Sequence, residues 1–123
     1  MTVLFDTTVL IDYLRGHEQA RDLLEAHGMK PSVSVVSTLE LYAGVRGRRD
    51  EQQAEQLLSQ AVLLPMTQDI AKRAGIFVRL YHGSHNVASM DAIIAATAEH
   101  HGLRLATLNV RHFPMFPRLK PAY

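Results

Sequence analysis

The chain contains no cysteine, so neither a disulfide framework nor a thiolate metal site can form, and its thiol-free composition fits a reducing cytosol. It also lacks any apolar run near the roughly 18 residues a membrane-spanning helix needs. The opening MTVLFDTT has an acid at position 6 and no basic stretch, so it reads as a first strand rather than a secretory leader. Charge of one sign is missing too: 13 Lys/Arg stand against 12 Asp/Glu, a net charge of +1. A protein that holds nucleic acid by bulk charge would be more basic, so composition neither supports nor excludes a nuclease. If RNA were a substrate, its attraction would have to come from local patches and bound metal. No internal repeat or low-complexity segment is present. What remains is an ordinary globular composition, 47% hydrophobic and 20% charged, over 123 residues. That length suits one domain spanning 1–123 with a core of its own.

Along the chain, short apolar runs alternate with segments of helical spacing. Val3-Leu4-Phe5 reads as a buried strand, followed by helix-start chemistry at Asp6-Thr7-Thr8. Helices are expected over 9–15, stopped by Gly16, and over 17–27, stopped by Gly28. Val33 to Val36 is rich in β-branched residues and reads as strand two. Ser37-Thr38-Leu39-Glu40 matches a capping box, which predicts a third helix from there to about Arg46. A fourth helix over 49–60, a third strand over 61–64 and a helix capped by Thr67 and running to about His82 follow. Gly83-Ser84-His85-Asn86 reads as a loop, and a helix over 91–101 and a strand over 103–107 come after it. Asn109 opens a turn, and Pro114, Pro117 and Pro121 make the tail irregular, with room for one edge strand. The alternation indicates a four- to five-stranded, mainly parallel sheet in a three-layer α/β/α domain. Such sheets bind ligands at the carboxyl ends of their strands.

That rule gathers the acids. Asp6 follows strand one, Glu40 lies one turn beyond strand two, Asp91 starts the helix before strand four, and Asn109 follows strand four. Carboxylates converging from separate elements repel one another unless a cation holds them, and hard oxygen donors suit Mg²⁺ or Mn²⁺. Taken singly, each acid has another explanation. Glu40 can be the capping partner of Ser37, Asp91 and Asp69 can complement helix dipoles, and Asp6 can be a turn residue. Asp12 reads as a solvated charge. Arg46, Arg48 and Arg49 are candidate phosphate contacts or a solvated loop run, and Arg79, His82 and His85 form a second candidate patch. The histidines lack metalloprotease spacing and read as surface or capping residues. Met66, Met90 and Met115 read as core or loop packing, and the Leu10, Ile11, Leu14 stripe as core or dimer interface.

Four stretches resemble, in order and over the whole chain, the motifs of PIN-domain ribonucleases of the VapC toxin type: Phe5 to Ile11, Ser37 to Gly44, Asp91 to Ala98, and Thr107 to Phe113. The resemblance implies a cytoplasmic, Mg²⁺-dependent endoribonuclease (Mn²⁺ a substitute) that cuts structured RNA such as tRNA or rRNA. It also implies a homodimer neutralised by a VapB-type antitoxin. Carried over, Asp6 and Asp91 would ligate metal and Glu40 would complete the acidic pocket. Thr7 and Thr107 would position carboxylates or substrate through their hydroxyls. Asn109 stands where many members carry a fourth Asp, so a second metal would be held less tightly. Two rival readings remain. A haloacid-dehalogenase-type phosphatase needs an acid where Thr8 stands. A catalytically dead PIN fold would only bind antitoxin or RNA.

Overall fold

A computed structural model describes residues 2–85 and 87–123. Four three-residue strands, β1 (Val3–Phe5), β2 (Ser32–Ser34), β3 (Val62–Leu64) and β4 (Arg104–Ala106), form one sheet in the order β3-β2-β1-β4, every pairing parallel. The helices are α1 (Thr7–Leu14), α2 (Glu18–Ala26), α3 (Val35–Ala43), α4 (Arg48–Gln60), α5 (Gln68–His85) and α6 (Ser89–His100), with a 3₁₀ turn at Val110–His112.

The pleat of β1 explains the layers. Val3 and Phe5 point to one face and Leu4 to the other, as period-two alternation requires. Val3 and Phe5 pack with Val9, Leu10, Leu24 and Leu57 from α1, α2 and α4. Leu4 packs with Ile70, Phe77 and Ile94 from α5 and α6. Each such fully buried side chain contributes roughly 1.5–3 kcal/mol. α3 serves both faces, giving Val36 to one core and Leu41 to the other. Leu10 is fully buried, so that part of the α1 stripe is core. Met90 and Met115 pack against the α5–α6 core, whereas Met66 is 49% exposed and belongs to neither.

Several boundaries differ from expectation. Strand two ends at Ser34, and α3 begins two residues before Ser37, because the Ser34 Oγ accepts from the Val36 N–H at 3.1 Å and caps the helix. The capping box at Ser37–Glu40 therefore does not exist. α3 ends at Ala43 rather than near Arg46. The segment expected as a loop at 83–86 is helical through His85, with Asn86 outside the described residues. The Thr67 cap is present, its Oγ1 accepting from the Ile70 N–H at 3.3 Å. No edge strand forms among the described tail residues; turns run through it, and the Ala122 N–H returns to the Thr107 carbonyl at 2.9 Å. Gly16, Gly28 and Gly102 each follow a helix with positive φ, the conformation a side chain disfavours.

The chain runs outward from β1 through β2 to β3, then crosses back to place β4 on the other side of β1. This reversal makes the carboxyl ends of β1 and β4 a topological switch point, where such sheets form their ligand-binding crevice. No helix among the described residues is long and apolar enough to cross a membrane.

Candidate functional site

Asp6 is the first residue beyond β1, at the mouth of that crevice. Its backbone carries the fold: its N–H donates to the Ala106 carbonyl at 2.8 Å, and its carbonyl accepts from Val9 at the start of α1. Its side chain does not cap α1. The carboxylate is 3% exposed and takes two hydroxyls on one oxygen, from Thr107 at 2.7 Å and Thr8 at 2.8 Å, both to Oδ2. Each hydroxyl is itself aimed by a backbone donor. The Asn109 N–H reaches Thr107 Oγ1 at 3.0 Å, and the Leu108 N–H reaches Thr8 Oγ1 at 3.3 Å. Among the described residues, Asp6 Oδ1 has no hydrogen-bond partner.

A second relay holds Glu40. Thr7 Oγ1 donates to Glu40 Oε1 at 2.6 Å and lies 2.8 Å from Ser37 Oγ. A hydroxyl has one proton. Thr7 gives its proton to the carboxylate, so Ser37 must donate to Thr7. Ser37 and Glu40, three apart on α3, face the start of α1 together. The residues expected to cap a helix instead link two helices across the site.

Asp91, in the first turn of α6, is partly buried, with its Oδ2 3.1 Å from His112 Nδ1. Its carboxyl is pushed above the ordinary carboxylate range, first by burial and then by the negative field of Asp6, with Glu40 adding to it. The His112 ring opposes this without reversing it. The three acids therefore feel one another, although they come from β1, α3 and α6.

The chemistry of this donor set fits a small hard cation. Each carboxylate has one oxygen bonded to the protein and one left open among the described residues. Mg²⁺ binds through one or two carboxylates and keeps several waters. Among the described residues no three His, Cys, Asp or Glu side chains form a metal-holding group by themselves.

The remaining predicted residues divide. The Asn109 side chain is exposed, and its hydrogen bond into the site is made by its backbone N–H. Arg46 lines, with Glu40, a 250 Å³ cavity between α1, α3 and α4. Arg48 and Arg49 lie on the first turn of α4, outside that lining. Arg79 and His82 are exposed on the last turns of α5. Asp69 is an exposed acid in the first turn of α5, as its dipole reading anticipates. Asp12 is not simply solvated: it accepts from the Tyr123 hydroxyl at 2.7 Å.

Sequence reasoning missed five participants. Ser37 and Thr8 were legible only as capping or motif residues. Arg15, at the end of α1, shares the Glu40 cavity with Arg46. Tyr123 comes from the far end of the chain. His112 was within reach of inference, since it lies three residues beyond Asn109 in the fourth motif.

Comparison with known proteins identifies the family. The family model of the PIN domain matches residues 3–118. The chain is 47% identical to Ribonuclease VapC10 of Mycobacterium tuberculosis, an alignment spanning 98% of this chain and 92% of that protein. It is 41% identical to Ribonuclease VapC19 of the same organism, across 98% of both chains. Among solved structures it resembles a toxin–antitoxin complex from Klebsiella pneumoniae, with a TM-score of 0.83, 31% identity and coverage of 100% of this chain and 98% of that one. The chain belongs to the PIN-domain family, within its group of VapC ribonucleases.

Proposed function

We propose that this protein is a cytoplasmic, metal-dependent endoribonuclease toxin that cuts structured RNA and is neutralised by a VapB-type antitoxin. The observation that carries the reading is the trio of half-satisfied carboxylates, Asp6, Glu40 and Asp91, with Asp91 raised first by burial and then by the negative field of Asp6 and Glu40. The names of the relatives supply the reaction class, and the donor chemistry supplies the cation.

Asp6 and Asp91 would hold Mg²⁺, or Mn²⁺ in its place, through their open oxygens. The cation would activate a water and offset charge on the phosphodiester. Thr8 and Thr107 hold the Asp6 carboxylate in a fixed direction through Oδ2, which leaves Oδ1 for a cation. Glu40, held by Thr7, takes a proton from the attacking water through Oε2. Arg46 and Arg15 hold neighbouring phosphates of the RNA by charge. Asn109 brings no charge to the site, so a second cation would depend on the RNA phosphate for coordination.

We also infer that the protein acts as a homodimer. Val35, Leu39 and Tyr42 on α3 are 37%, 54% and 40% exposed and recur at helical spacing, so they form an uncovered apolar stripe beside Glu40.

The test is direct. The chain, purified free of antitoxin, is incubated with total tRNA in Mg²⁺ or in EDTA. Discrete fragments are expected in Mg²⁺ only, and none from the Asp6→Asn variant. Intact RNA in every condition would instead favour a non-cutting binding module.

A further inference from the structure

Away from the carboxylates, an open groove of 650 Å³ runs along the outer edge of β4. Its apolar walls come from Leu23 of α2, Leu105 of β4, and Phe116 and Leu119 of the tail. Its cations are Arg104, Arg118 and Lys120, and among the described residues no Asp or Glu lines it. Among the described residues none of these three side chains has a hydrogen bond or ion pair.

The backbone adds a direction. β4 is the last strand of the sheet, bonded to β1 alone. The Arg104 N–H donates to the Thr2 carbonyl and the Ala106 carbonyl accepts from Asp6, so both residues turn their peptide groups inward to β1. Leu105, between them, must turn its N–H and C=O outward. The next outward carbonyl, that of Thr107, is already taken by Ala122. The tail cannot extend this pairing through Pro117 or Pro121, which have no N–H to give. The Leu105 N–H and C=O therefore have no backbone partner among the described residues, although the residue as a whole is only 7% exposed.

We propose that this groove docks an extended, acidic segment of a partner protein, which adds as a short strand beside Leu105. Its apolar side chains enter between α2 and the tail, and its carboxylates meet Arg104, Arg118 and Lys120. Main-chain bonds at an exposed edge supply affinity in such recognition, and side-chain pockets supply selectivity. RNA is the poorer occupant. It has no strand to pair with Leu105, and the groove's tail aromatic, Phe116, is packed against the core instead of standing free for a base. Edge cations can also serve only to prevent sheet-to-sheet aggregation. That function predicts no peptide binding.

The proposal goes beyond the nuclease reading and does not depend on it, so its test uses binding. A fluorescent heptapeptide alternating glutamate with valine or leucine is titrated into the full chain and followed by anisotropy. Backbone amide NMR of the same titration locates the contact. The expected result is saturable binding in the micromolar range, with the Leu105 amide among the signals that move. A peptide with lysine in place of glutamate should not bind. The combined variant Arg104→Glu, Arg118→Glu, Lys120→Glu should weaken binding at least tenfold. If that variant fails to fold, Arg118→Glu with Lys120→Glu, both on the exposed tail, should still weaken it severalfold. Absence of binding, binding indifferent to these substitutions, or an unmoved Leu105 amide would overturn the proposal. So would a single-stranded RNA oligomer that displaces the peptide and depends on the same three cations.

Discussion

On the β1–β4 side of the site, the Asp6 carboxylate is buried and receives two threonine hydroxyls, each fixed by a backbone N–H. On the α6 side, Asp91 is only partly buried, and among the described residues its one bond is to the ring of an exposed histidine. The same edge thus has a preorganised half and an unrelieved half. In the first, hydroxyl dipoles hold the charge in place without adding charge of their own. In the second, burial and the field of Asp6 act against the carboxylate until something positive arrives. The contrast sets a half held in place without added charge beside a half that a positive charge would relieve. The difference between the halves can be broken from either side.

The largest effect belongs to Asp6 itself. Asp6→Asn keeps acceptor oxygen for Thr8 and Thr107 but removes the charge. Cleavage of tRNA should fall on the order of 1,000-fold, about 4 kcal/mol of barrier. A residual rate near that of the unaltered chain would move the reacting centre away from the preorganised half.

Next comes the threonine that supports it. Thr107→Val is nearly isosteric but removes a buried donor to Asp6 and the acceptor of the Asn109 N–H. Urea unfolding should show a loss of about 1–3 kcal/mol. Thr7→Val, introduced together with Ser37→Ala so that no buried hydroxyl is orphaned, should cost less relative to Ser37→Ala alone, about 1 kcal/mol, because partly buried Glu40 can regain water when its hydroxyl partner is gone. Equal losses at the two positions would erase the contrast between a sealed and an open carboxylate.

The smallest effect has the opposite sign. Asp91 has a raised pKa in the folded state, so between the ordinary carboxylate value and the raised one the folded chain binds more protons than the unfolded chain. Stability of the metal-free protein should therefore fall as pH rises through that window and then level off. Asp91→Asn should flatten this fall and raise the metal-free melting temperature at neutral pH by a few degrees, while cleavage drops. Adding Mg²⁺ should stabilise the unaltered protein more than the variant. A lower melting temperature for Asp91→Asn would mean that the contact with His112 outweighs the repulsion.

Much of this was legible before any coordinates. The apolar Val3-Leu4-Phe5 run ending in Asp6, the stops at Gly16, Gly28 and Gly102, and the alternation of strands and helices identified a parallel sheet with acids at its carboxyl edge. The start of α3 was misread because Ser34 and Ser37 both offer plausible caps, and local pattern does not say which hydroxyl has a free N–H to meet. The end of α5 was misread because Gly83 and Ser84 are loop-prone by composition, whereas packing along the rest of a long helix carried them. Arg46, Arg48 and Arg49 are equivalent in the sequence, because which of them reaches the Glu40 cavity depends on the direction α4 takes.

The sequence by itself determined the order of elements, the residue types at the strand ends and the absence of thiolate chemistry, because each depends on local spacing or composition. Only the tertiary structure decided which partner each polar group has. Thr107 reaches Asp6 across 101 residues, Glu40 meets Thr7 across 33, and Tyr123 ties down Asp12 across 111. Glu40 left the role of a cap and joined the site for the same reason. A hydrogen bond is settled by distance and direction in space, and the chain brings those donors and acceptors together only when its sheet and helices are packed.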